Sequence, residues 1–201
     1  MAIPDTVVFI GLGQMGLPMA KRCIAAGFKV RGADPSAPAR DALAAAGGEV
    51  FARGRDAAKD ASMLITMLPD SRIVREAVLG EQGVADVLAK NALIIDMSSS
   101  VPVDTQSLGK DLAARGIALI DAPVSGGVKR AVDGSLSIMA GPKDVSRSCA
   151  MPPGLKARCH RTRQCACSLP GCLPAPLLSR QLRGWLDHSC RRGVCAGSTS
   201  H

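Results

Sequence analysis

Thr6-Val7-Val8-Phe9-Ile10-Gly11-Leu12-Gly13-Gln14-Met15-Gly16 decides how this chain folds. Thr6 to Ile10 is a β-branched and aromatic run that reads as a buried strand, and a GxGxxG pattern follows it without a gap. From Met15 to Ala26 the spacing turns helical, placing Met15, Met19, Cys23 and Ala26 on one face to pack on a sheet. Each glycine has a mechanical task. Gly11 permits the tight turn, Gly13 lets the backbone approach a diphosphate with no Cβ in the way, and Gly16 lets helix and strand close up. The helix start adds unpaired N–H groups and about half a positive charge. Gly11, Leu12, Gly13, Gln14, Met15 and Gly16 are therefore candidates to bind a dinucleotide; a glycine turn serving only chain reversal is the plainer alternative.

Working outward, short Val/Ile/Leu-rich runs alternate with Ala-rich helical stretches over the first 145 residues. Strands are predicted at Thr6–Ile10, Phe28–Ala33, Glu49–Phe51, Met63–Met67, Leu93–Met97 and Ile117–Asp121. Strands separated by helices imply an α/β fold, a Rossmann-type doubly wound parallel sheet. Asp70 and Ser71 are good N-caps for a helix running to Leu79, with an Ile73, Val74, Ala77, Val78 stripe and Gly80 as its stop. A further helix follows Ser100 and Pro102 and ends at Arg115-Gly116. Asp34 closes the second strand, where a carboxylate accepts hydrogen bonds from ribose hydroxyls and repels a 2′-phosphate. NAD is thus favoured, with NADP left open because Arg31 and Arg40 are near enough in sequence to meet a phosphate. Asp34-Pro35-Ser36 also reads as a simple turn. Gly32 inside the second strand should weaken it.

Gly11-Leu12-Gly13-Gln14-Met15-Gly16-Leu17-Pro18-Met19-Ala20 resembles the N-terminal signature of the β-hydroxyacid dehydrogenases, the family of 3-hydroxyisobutyrate dehydrogenase and tartronate semialdehyde reductase, related to 6-phosphogluconate dehydrogenase. Met67-Leu68-Pro69, Asp96-Met97-Ser98-Ser99 with Pro102, and Asp121-Ala122-Pro123-Val124-Ser125-Gly126-Gly127 agree in order and spacing, as do Ala131, Gly134, Leu136, Met139 and Gly141. The resemblance covers residues 6 to about 145. It implies that Leu68 and Pro69 line the cofactor site and that Ser99 contacts the nicotinamide ribose. Ser98 and Ser100 read equally well as capping groups for the helix after them. Ser125, Gly126 and Gly127 would hold the carboxylate of a small hydroxy acid, consistent with a hydroxyl beside two unhindered N–H groups. Hydride would pass between that substrate and the nicotinamide while a lysine serves as general acid/base, with no metal. By the same resemblance the lysine heads a long helix with a Gly-rich lead-in and asparagines after it, at a position that here holds Pro174. Lys156 is the sole lysine beyond Lys143, in another context, and no asparagine follows Asn91. The catalytic lysine is thus expected to be absent.

The chain has 201 residues, 47% apolar and 21% charged, which fits one or two globular domains and excludes collagen, coiled coil and wholly disordered classes. Its net charge of +8 arises after residue 145, because residues 1–145 carry 16 basic and 16 acidic side chains. Residues 146–201 hold eight Arg, one Lys, one acid (Asp187), all three His and seven of the eight Cys, with no periodicity. A zinc module would want CxxC pairs, which the segment lacks. A nucleic-acid arm would want Lys and more stacking rings than Trp185. The preferred reading is a shifted reading frame or aberrant terminus, a basic Cys/Pro/Arg-rich tail standing where the family has a helical domain. The tail is expected to be largely disordered, to leave the sheet face meant for that domain exposed, and to make an oligomer unlikely. No signal peptide, transit sequence or membrane-length apolar run is read, so the expected compartment is the cytoplasm, with neither a nucleic-acid nor a membrane partner. Two functions compete: a dehydrogenase of 3-hydroxyisobutyrate type lacking its lysine, and a non-catalytic dinucleotide-binding or interaction module.

Overall fold

β1 (Thr6–Ile10) is apolar along its length because both of its faces are covered. Val7 and Phe9 join one buried cluster, Val8 and Ile10 the other, as the two-residue period of a strand requires. The computed structural model describes residues 6–140. After β1 come α1 (Gly16–Ala25), β2 (Lys29–Ala33), α2 (Ala37–Ala44), β3 (Glu49–Phe51), α3 (Gly54–Ala57), β4 (Met63–Thr66), α4 (Ser71–Leu79), a 3-10 turn at Ala85–Val87, β5 (Leu93–Asp96), α5 (Pro102–Ala113) and β6 (Ala118–Asp121). The chain then leaves the main sheet for β7 (Val124–Ser125), α6 (Gly127–Asp133) and β8 (Ser137–Ile138). The reading of residues 146–201 as an unfolded tail lies outside the described residues.

The six strands form one parallel sheet in the order β3-β2-β1-β4-β5-β6. The doubly wound expectation therefore holds, and the strand order reverses between β1 and β4, where ligands of open parallel sheets bind. Register brings the strand exits level: Ile10 pairs with Ala33 and Thr66, Thr66 with Asp96, and Asp96 with Asp121. One cluster holds Leu64, Val74, Val78, Ile94, Leu108 and Leu112 beneath α4 and α5; the other holds Leu12, Met19, Ala20, Leu43, Ile65, Ile95 and Ala131 beneath α1, α2 and α6.

Predicted strands end within a residue of those observed, and three of the four residues expected on the α1 face pack there: Met19 is buried, Met15 and Cys23 pack against the same cluster, and Ala26 is the C-cap, outside that cluster. β2 runs unbroken through Gly32, which pairs with Phe9 and Val50. A Cβ there would stand 2.2 Å from Leu43 Cδ2, so the missing side chain is the space that the fully buried Leu43 fills. Asp70 caps α4 by accepting from Ile73 N at 2.8 Å, whereas Ser71 Oγ donates to Asp104 Oδ2 at 2.6 Å and ties α4 to α5. Asp70→Ala should lower stability by about 1 kcal/mol, read as a shift of the urea midpoint at unchanged slope; an unshifted midpoint would show that the cap is not contributing.

Candidate functional site

The cradle begins where β1 stops. Gly11 N donates to Ala33 O at 3.0 Å and Met67 N to Ile10 O at 2.9 Å, so β1 and β4 end side by side with the turn between them. Gly11 adopts φ +96°, and a Cβ on it would lie 2.4 Å from Met67 O and 3.0 Å from Leu68 Cδ2. Gly16 is tighter: its Cβ would fall 2.0 Å from Gly11 O. Its smallness thus serves the turn's own backbone, with Met67 Cβ next at 3.5 Å, more than the general approach of helix and strand. Gly13 has the opposite surroundings, exposed and with open space where a Cβ would be. No acidic residue sits in the first turn of α1, so nothing there neutralises the positive end of the helix. Gln14 is exposed and Met15 half-buried beside it, while the Leu12 side chain is buried in the core. Leu12 thus offers this edge its backbone alone.

That backbone is held by Asp34. Its Oδ2 accepts from Leu12 N and its Oδ1 from Ser36 N, each at 2.8 Å, so the residue is both a turn carboxylate and a brace for the cradle. A carboxylate has about four acceptor positions, which leaves room for ribose hydroxyls on the same oxygens. Of the two arginines considered for a 2′-phosphate, Arg40 lies at this edge, donating to Asp34 O at 2.7 Å and Pro35 O at 2.8 Å. Arg31 does not. It pairs with Glu49 and donates to Lys59 O beside a cavity of about 510 Å³ lined by Thr6 and Ser62, at the amino ends of β1 and β4.

Across the switch point, the exits of β4 and β5 are joined by a buried polar knot that the sequence reading missed. Asp96 is fully buried; its Oδ1 accepts from Thr66 Oγ1 at 2.9 Å and Ser98 N at 3.0 Å, and its Oδ2 from Ser100 Oγ at 2.7 Å. Ser98 Oγ in turn accepts from Leu68 N at 2.9 Å. The capping expectation for Ser98 and Ser100 is therefore overturned. The N-cap of α5 is Val101, with no side-chain cap, because both hydroxyls face inward to Asp96 and to Leu68 N. Pro69 and Ser99 are exposed at the rim and Leu68 is half-buried over Gly11. A signal existed in the sequence: an acid ending an otherwise apolar strand needs donors, and the Ser98 to Ser100 run follows it almost directly.

From β6 the chain continues through Ala122-Pro123 into β7, with Ser125 opposite Ser137 of β8. The Ser125-Gly126-Gly127 segment is thus the end of a short strand and the start of α6. Gly126 takes φ +135° and Gly127 φ +67°, and all three residues are exposed. Ser135 closes the other end of α6: its hydroxyl and N–H donate to Asp133 and hold that carboxyl below its usual range.

Residues 6–153 match the NAD binding domain of 6-phosphogluconate dehydrogenase. The chain belongs to that family. Among its relatives, 3-sulfolactaldehyde reductase of Escherichia coli K12 is 42% identical over 135 residues, covering 67% of this chain and 45% of the relative. The mitochondrial 3-hydroxyisobutyrate dehydrogenase of Drosophila melanogaster is 43% identical over 133 residues, 66% of this chain and 40% of the relative. A solved 3-hydroxyisobutyrate dehydrogenase of Mycobacterium tuberculosis, determined with L-serine, superposes with a TM-score of 0.66 at 36% identity over 71% of this chain and 48% of that one. The chain spans about half the length of the curated relatives it matches, or somewhat less.

As an NAD-binding domain, the chain fits its coenzyme at the place where a Cβ matters. The open face over Gly13 adjoins the uncapped start of α1, as a diphosphate requires. Cys23, on the inner face of α1, takes no part: burial pushes its thiol up to about 12, so it is an apolar filler at neutral pH. Among the described residues, no helix is long and apolar enough to cross a membrane.

Proposed function

We propose that this domain serves hydride transfer between NAD and a small hydroxy acid of 3-hydroxyisobutyrate type. The observation that carries the reading is the alignment at one sheet edge of the Gly11–Gly16 cradle, the Asp34 carboxylate and the exits of β4, β5 and β6. The diphosphate would rest on the first amides of α1 over Gly13, and the adenosine ribose on Asp34. The nicotinamide half would cross the switch point toward Leu68, Pro69 and Ser99. Ser125, Gly126 and Gly127 would offer a hydroxyl and backbone N–H groups to the substrate carboxylate. When bound, NAD supplies the hydride acceptor; the protein's part is to hold the two carbons together and keep the amide dipoles aimed at the phosphates.

The proton is the step this chain does not provide for. Pro174 stands where the resemblance puts the general acid/base lysine, and Lys156 follows in no Gly- or Asn-rich context. We therefore read the chain as binding coenzyme without appreciable turnover, since positioned acid/base catalysis contributes about a hundred- to ten-thousand-fold. A non-catalytic binding module is the second reading, favoured by that missing lysine. The composition break at residue 145 supports taking 146–201 as a shifted frame and not the family's helical domain. The cytoplasm remains the proposed compartment.

Calorimetric titration of the full chain with NAD and with NADP, beside a dehydrogenase assay on 3-hydroxyisobutyrate, glycerate and threonate, tests both halves. Saturable heat with no absorbance change at the nicotinamide is the expected result. No heat with either coenzyme would remove the assignment, and turnover near that of an ordinary dehydrogenase would refute the missing proton donor. In the coding DNA, a neighbouring frame encoding a Gly-rich turn followed by Lys and Asn is expected downstream of Val145.

A further inference from the structure

Asp96 ends β5, an inner strand of the sheet, with no exposed surface, and the donors around it are one side-chain hydroxyl from β4, one from the loop after β5, and one backbone N–H of that same loop. A carboxylate in such a place is retained only if its hydrogen bonds are made, and removing it orphans every donor at once. The bonds also have a direction. Asp96 fixes Ser98 through its N–H, Ser98 Oγ then accepts from Leu68 N, and Leu68 lies over Gly11 of the cradle. The exits of β4 and β5 are thus fastened to each other at the rim beside the cradle.

We infer that Asp96 is a positioning residue for the nicotinamide half of the coenzyme, acting through Ser98 and Ser100 to set Leu68 and Ser99 at the rim. The inference rests on the NAD reading above and adds a selectivity to it. Asp34, at the adenosine end, accepts its own bonds from Leu12 N and Ser36 N, and none of the Asp96 bonds named above reaches it or the first turn of α1. A change at Asp96 should therefore be felt by one end of the ligand alone.

The test uses two probes on the full chain: NAD, and ADP, which keeps the adenosine and diphosphate but has neither the second ribose nor the nicotinamide. Asp96→Ala should weaken NAD about tenfold while leaving ADP within about twofold. Asp96→Asn keeps an acceptor for Thr66 and Ser98 N and can donate to Ser100, so it should restore most of the NAD affinity. Should Asp96→Ala not fold, Ser98→Ala breaks only the link to Leu68 N and should show the same selective loss, about threefold. Equal losses for NAD and ADP, or no loss for NAD in any of the three variants, would overturn the inference and leave the coenzyme reading standing. Failure of the unaltered chain to bind either probe would overturn that reading and the inference with it.

Discussion

Gly16→Ala should lower both the stability of the domain and its grip on NAD, while Gly13→Ala should lower the grip alone. The Gly16 Cβ would be placed 2.0 Å from Gly11 O, a backbone atom that cannot swing aside. The turn has to open, at a cost of about 2–3 kcal/mol in line with overpacked sites. Because the atom that yields belongs to the cradle, NAD affinity should fall by about a hundredfold or more. At Gly13 a Cβ meets nothing within 4 Å. There the folded state should be unchanged or gain about 0.4–1 kcal/mol through a less free unfolded chain. NAD should still weaken, because the methyl group occupies the surface that a diphosphate must touch. Thermal melts and NAD titrations on the two variants separate these effects. A Gly13→Ala chain that binds NAD as tightly as its parent would place the diphosphate elsewhere.

Asp34→Ala should shift the coenzyme preference from NAD toward NADP by at least about tenfold. Two effects act together. The substitution removes the acceptor for the ribose hydroxyls and the negative charge that repels a 2′-phosphate. It leaves the Arg40 guanidinium, seated on the carbonyls of residues 34 and 35, as the cation nearest that position. Loss of the bond to Leu12 N loosens the cradle for both coenzymes, so the informative quantity is the ratio of the two Kd values. Equal weakening of NAD and NADP would mean that Asp34 is only a brace for the turn.

Much of this site could be read before any coordinates. β1, the glycine pattern and α1 are contiguous, so their chemistry appears in one window of sequence. Asp34 was identifiable because it falls where a second strand must end. Leu12 illustrates the limit of such reading: it was a candidate for the ligand by its place in the motif, but its side chain is 1% exposed in the core and only its N–H faces the edge. Arg31 and Arg40 were equivalent by sequence distance, and only the sheet, which sends one to the amino edge and the other to the carboxyl edge, tells them apart.

What the amino-acid order determined by itself is the doubly wound sheet, the cradle and the break in composition at residue 145, because alternation, helical spacing and charge are local properties of the chain. What tertiary structure alone decided is how the far end of the site is built. The bond from Leu68 N to Ser98 Oγ joins residues 30 positions apart, and the bond from Thr66 to Asp96 does the same. Gly32 looked like a defect until Leu43 of α2 was seen filling its place. Pairings of that kind have no period to reveal them; they exist only once parallel strands lie in register and bring distant residues to one edge.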